Sequence, residues 1–123
     1  MFAVAACVVL GFLAVFQVAL AAGAPLGQFA WGGQSRVLST RLRIGSVISV
    51  IIYAFIAVVL LERASLIRLL GNAGFVQVAT WVIFAYFVLG ILMNAISRSK
   101  LERYTMTPVT IVLAALSLLV ALG

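Results

Sequence analysis

Histidine and aspartate are missing from this chain, and its only acids are two glutamates, Glu62 and Glu102. That removes most general bases, most haem ligands and the usual metal clusters. The sequence therefore reads as non-enzymatic, with no cofactor. One cysteine, Cys7, stands in an apolar run. No disulfide can form within a single chain, and a lone buried Cys is ordinarily a small hydrophobe. Charge is scarce in general, at 8% of 123 residues, where a soluble domain carries about 25%. The charge that exists is basic: eight Lys+Arg leave a net +6. No polar face is available along which to lay a nucleic-acid helix. The excess therefore excludes nucleic acid as a partner and reads as a set of topology signals facing lipid.

What is present in abundance is apolar sequence, 67% of the chain, against roughly 45–50% in a soluble domain. A hydrocarbon core of roughly 30 Å needs about 20 apolar residues as a helix. Four segments meet or approach that length: 2–22, 44–61, 75–96 and 107–122, the last short but uncharged. Gly23, Pro25 and Gly27 break the chain after the first, "GNAG" at 71–74 separates the second from the third, and Pro108 suits the first turn of the fourth. "ALA" at 19–21 resembles a signal-peptide cleavage site. The segment before it has no Lys or Arg, however, and cleavage would leave Arg36, Arg41 and Arg43 outside, so a retained first helix is expected. The expected fold is an all-α membrane protein: one transmembrane domain over 1–123, built as a four-transmembrane-helix bundle.

Orientation follows from the loops at 23–43 and 97–106. The first holds Arg36, Arg41 and Arg43, and the second holds Arg98, Lys100 and Arg103. The connection between them in sequence has only Arg63 and Arg68. A split of six against two places both basic loops in the cytoplasm and both termini outside, N-out/C-out. In the stretch "PLGQFAWGGQSRVLSTRLR", Phe29 and Trp31 suit the membrane interface, and Gly32-Gly33 permits a tight turn. The six cytoplasmic cations are expected to contact anionic lipid headgroups, at about 1 kcal/mol each. A sharper alternative is a phosphate cradle made by the glycine amides beside Gln34, Ser35 and Arg36.

Within the spans, small and polar residues recur at helical spacing. The stripes are Cys7, Gly11, Ala14 and Ala21, with Gln17 beside them; Ser46, Ser49 and Tyr53; Tyr86, Gly90, Asn94 and Ser97; and Thr107, Thr110, Ala114, Ser117 and Ala121. Such residues let helix backbones approach and bond across in lipid, so each stripe is expected to face inward. Gln17, Tyr53, Tyr86 and Asn94 form a candidate polar cluster inside the membrane. Intramembrane ion sites usually hold a charge, and neither glutamate lies in a span: Glu62 ends the second beside Arg63, and Glu102 falls four residues after Arg98, the spacing of a helical ion pair. A proton-coupled exporter of the small multidrug type would want a carboxylate in the first span, where there is none.

Two patches, "PLGQFAWGGQSRVLSTRLRIGS" and "LGILMNAISRSKLERYTMTP", resemble an uncharacterised group of small four-span bacterial integral membrane proteins. The resemblance implies four spans in a bacterial inner membrane and implies no activity. In the topology above the two patches share one face, which would bring Gln34, Ser35 and Arg36 near Asn94, Arg98 and Arg103. Three functions are compatible with the residues. One is a protein that assembles with itself or serves as an accessory subunit of a larger membrane complex. The alternative is a channel or uncoupled transporter for a small solute, which needs a homo-oligomer because one bundle has little room for a pore. A lipid-modifying enzyme is the third, and it lacks a base or metal cluster.

Overall fold

The computed structural model describes residues 1–30, 33 and 37–123, and every long element in it is helical. Four α-helices follow one another: α1 Phe2–Ala21, α2 Thr40–Arg63, α3 Ala73–Ala95 and α4 Lys100–Leu122. A 3-10 turn, Gly27–Phe29, lies in the connection between α1 and α2. At 1.5 Å per residue, 20 to 24 residues reach about 30 Å or more, enough to cross the hydrocarbon core. All four are long and apolar enough to span. The chain is a multi-pass membrane protein built as a four-helix bundle.

Cross-helix contacts fix the order and direction. The Cys7 thiol reaches the Ala57 carbonyl at 3.9 Å, so α1 and α2 run antiparallel. Asn94 meets Thr110 at 3.0 Å, so α3 and α4 do too. Arg63 and Ala121 meet at 2.8 Å, so the C-terminal ends of α2 and α4 lie together. The helices form a square in chain order, with α4 closing back onto α1. One end therefore gathers the connection at 22–39 and the short turn at 96–99. The other gathers the connection at 64–72.

Two of the expected boundaries move by four residues or more, the others by one or two at most. Helix α2 starts at Thr40 rather than 44, and α4 starts at Lys100 rather than 107. A hydropathy reading stops a span at its first charge, but backbone hydrogen bonding continues through the headgroup zone. At α4 and α3 a local side-chain cap marks the start. Ser99 accepts from the Glu102 amide at 3.3 Å, and Asn72 accepts from the Phe75 amide at 3.0 Å, each satisfying a donor that the helix leaves open. Pro108 consequently lies inside α4 instead of in its first turn. It has no N–H to give the Tyr104 carbonyl four residues earlier.

The stripes also divide. Along α4, Thr110, Ala114, Ser117 and Ala121 are buried, and Ser46 is buried on α2. On α3, Gly90 packs so close to Thr110 that a Cβ there would lie 3.1 Å from its methyl. On α1 the inward residues are Ala3, Ala6, Leu10, Gln17 and Leu20. Gly11 is one position, and so about 100°, away from Leu10. It faces outward, with nothing within 4 Å of where its Cβ would stand.

The main apolar core fills the half of the bundle away from the basic end. Leu10 of α1, Ile56 and Leu60 of α2, Phe87 of α3 and Leu113 of α4 meet there. A small second cluster, Leu20, Ala30 and Leu38, joins the end of α1 to its following connection. That connection turns at Gly23, with φ +101°, and the Arg43 guanidinium lies against it, Nη2 being 3.0 Å from where a Cβ would be.

Candidate functional site

Between the second cluster and the main core, all four helices turn polar atoms toward one pocket of about 190 Å³. Helix α1 supplies Gln17 to it, α2 supplies Ser49 and Tyr53, α3 supplies Asn94, and α4 supplies Glu102 and Thr110. Phe16 and Phe29 form an apolar wall, their rings edge to face at 6.4 Å. Such a concave site with a few convergent polar groups is the default place to look for function.

Hydrogen bonds fix the polar side chains, but incompletely. Asn94 donates from Nδ2 to the Gly90 carbonyl at 2.9 Å and to Thr110 Oγ1 at 3.0 Å. Thr110 in turn donates to the Met106 carbonyl at 2.7 Å. Ser49 donates to the Gly45 carbonyl at 3.0 Å. Across α1 and α2, Gln17 Nε2 donates to the Tyr53 hydroxyl at a long 3.5 Å, while Gln17 Oε1 is buried with no partner. Exchanging the amide oxygen and nitrogen would only move the vacancy to the other amide atom.

Of the four residues in the expected polar cluster, Gln17, Tyr53 and Asn94 line this pocket. Tyr86 does not: it is 48% exposed and its ring rests against Phe87, with centroids 5.4 Å apart. Glu102, expected in a loop or at a helix end outside the membrane, is instead part of the site. It is buried in the first turn of α4 and lines the pocket. Its signal is legible as "SKLE" at 99–102, a Ser followed three residues later by Glu, which marks a helix start. Arg98 precedes the Ser99 cap, so it shares no helical face with Glu102.

The expected headgroup cations surround the same end. Arg41 is exposed in the first turn of α2, and Arg98 and Lys100 are exposed around the α4 cap. Arg103 lies over the Tyr104 ring at 5.1 Å, a cation–π contact. Arg43 instead turns back onto the protein, donating from Nε to the Leu38 carbonyl at 3.0 Å. Arg36, with Gln34 and Ser35, lies outside the described residues. The two basic loops do meet at a described position. Gly33, at φ +73°, is so close to Ser99 that an added Cβ would stand 2.7 Å from the serine Cβ.

A larger cleft of about 440 Å³ lies at the opposite end, along the connection at 64–72. Its polar groups largely serve that connection. Glu62 Oε1 accepts from the backbone amides of Leu69 and Leu70, and Arg63 Nη2 donates to the Ala121 carbonyl near the end of α4. Only α2, α3 and the connection line it, whereas the smaller pocket is shared by the whole bundle. Among the described residues, no group of His, Cys, Asp and Glu side chains has the arrangement of a metal site. No family model, no curated protein and no solved structure matches this chain.

Proposed function

We propose that this protein is a non-enzymatic membrane component of a bacterial inner membrane. In this reading it assembles with itself or serves as an accessory subunit of a larger membrane complex. Its basic end faces the cytoplasm, where Arg41, Arg98, Lys100 and Arg103 meet anionic headgroups. The observation that carries the assembly reading is the outer face of α1. Val4, Val8, Val15 and Val18 are exposed there, and Gly11 completes the row with open space above it. Their spacing of four, three, four and three residues is that of a helix–helix seam. Small and β-branched residues are what lets a second helix approach closely in lipid, where burial of large apolar groups gives no drive.

Gly11→Leu tests this reading. Nothing within the bundle stands near that position, so the helix content of the single bundle should be unchanged while a packed seam would be blocked. Native mass spectrometry of protein released gently from its own membrane should show a homo-oligomer or a second protein, lost in the variant. A wild-type protein that emerges alone would refute the reading. A homo-oligomeric channel or uncoupled transporter is the second reading, and the polar pocket supports it. A path through one copy is opposed by the apolar core that closes the bundle beyond Tyr53.

A further inference from the structure

The unused hydrogen-bonding capacity of the pocket describes a ligand. Gln17 is only 9% exposed, and its amide oxygen has no partner. Asn94 commits both Nδ2 protons to Gly90 and Thr110, which leaves its Oδ1 as the remaining valence. The Tyr53 hydroxyl accepts from Gln17 and keeps its own proton to donate. Two acceptors and one donor, carried on three different helices, therefore converge on one space. A buried amide atom without a partner is destabilising, and a ligand or water that supplies the missing donor removes that penalty.

Charge narrows the class. The pocket lies in the half of the bundle nearer the end where Arg41, Arg43, Arg98, Lys100 and Arg103 collect, so a cation meets an unfavourable field. Glu102, which has a partner of its own, puts a carboxylate in the wall, which disfavours an anion. Size narrows it further. A volume of about 190 Å³ is several times the roughly 30 Å³ share of a water molecule. Phe16, Phe29 and Met106 cover the sides and suit a small carbon skeleton.

We infer that this pocket binds a small uncharged solute with at least two N–H or O–H donors and one carbonyl or hydroxyl acceptor, in the size range of urea and glycerol. The donors go to Gln17 Oε1 and Asn94 Oδ1, and the acceptor takes the Tyr53 proton. This inference is independent of the assembly reading, since it concerns the inside of one bundle.

The test is NMR titration of the full chain in lipid nanodiscs, following the side-chain amide signals of Gln17 and Asn94. Urea and glycerol are the probes, kept well below denaturing concentrations, with methylammonium and acetate as charged controls. Saturable shifts of both amides with at least one neutral probe are expected. Tyr53→Phe, which keeps the ring, should weaken that binding about tenfold, and Gln17→Leu should do at least as much. If Gln17→Leu does not fold, Tyr53→Phe alone locates the site. Shifts that stay linear in concentration, or that are the same in Tyr53→Phe, overturn the inference. So does saturation by methylammonium or acetate at lower concentration than by either neutral probe. So does exchange of these amides with water alone, which would make the pocket a water site.

Discussion

Replacing Gly23 by alanine should loosen the basic end in two separable ways. The first is backbone. At φ +101° the residue is in a region that L side chains rarely adopt, and holding one there costs about 1–3 kcal/mol. The second is steric. The new methyl would stand 3.0 Å from Arg43 Nη2 and 3.5 Å from Cζ, so the guanidinium must swing away. Its Nε–H bond to the Leu38 carbonyl then weakens, and a half-solvated bond of that kind contributes on the order of 1 kcal/mol. Gly23→Ala is thus expected to destabilise by about 2–4 kcal/mol in all. Reversible unfolding in mixed micelles, followed by far-ultraviolet circular dichroism, reads the total. Arg43→Ala removes the obstacle, so in that background Gly23→Ala should cost only its backbone share, giving a coupling of about 1 kcal/mol. Additivity of the two changes within about 0.5 kcal/mol would show that Arg43 is not seated on the turn. A total below about 0.5 kcal/mol would mean that the turn itself is not held in this conformation.

Two further outcomes can be checked on the same preparation. Ser99→Ala deletes the oxygen that accepts the Glu102 amide, so it should cost about 1 kcal/mol and speed hydrogen exchange in the first turn of α4, leaving exchange beyond Pro108 unchanged. Glu62→Ala removes the acceptor of the Leu69 and Leu70 amides, so those two amides should exchange faster by roughly fivefold to tenfold, about 1 kcal/mol of local opening. Glu62→Gln, which keeps an oxygen, should fall between.

The four spans are legible in the sequence because an uncharged apolar run of about 20 residues matches the thickness of the hydrocarbon core. Their ends are not. The charges of Arg41 and Lys100 look like loop, although the backbone around them hydrogen-bonds as helix. Only a cap signature such as Ser99 to Glu102 distinguishes the two cases. The inward face of α1 is displaced by a single residue from the expected stripe, because small side chains suit both a tight internal contact and an external one. Gly90 has the former and Gly11 has open space. Gln17, Tyr53 and Asn94 are visible in the sequence as polar groups at helical positions within the spans. Tyr86 looks equivalent, but α3 turns its ring outward, where it is half exposed. Glu102 escapes because a carboxylate beside basic residues reads as solvated, and only the packing of α4 against the first connection buries it.

The position of the main apolar core, beyond the pocket as seen from the basic end, has an electrical consequence. Water or solute filling the pocket would carry a high permittivity as far as Tyr53. Beyond it, α1 turns Ala3, Ala6 and Leu10 toward the core, about 10 Å of apolar lining at 1.5 Å per residue. A transmembrane potential falls mainly where permittivity is low, so it concentrates across that short dry segment. The full drop amounts to about 2.3 kcal/mol per elementary charge at 100 mV. Dipoles near Leu10, Ile56 and Leu113 feel a field steeper than a bilayer of uniform thickness would impose, while the amides of Gln17 and Asn94 remain close to the potential of the basic side.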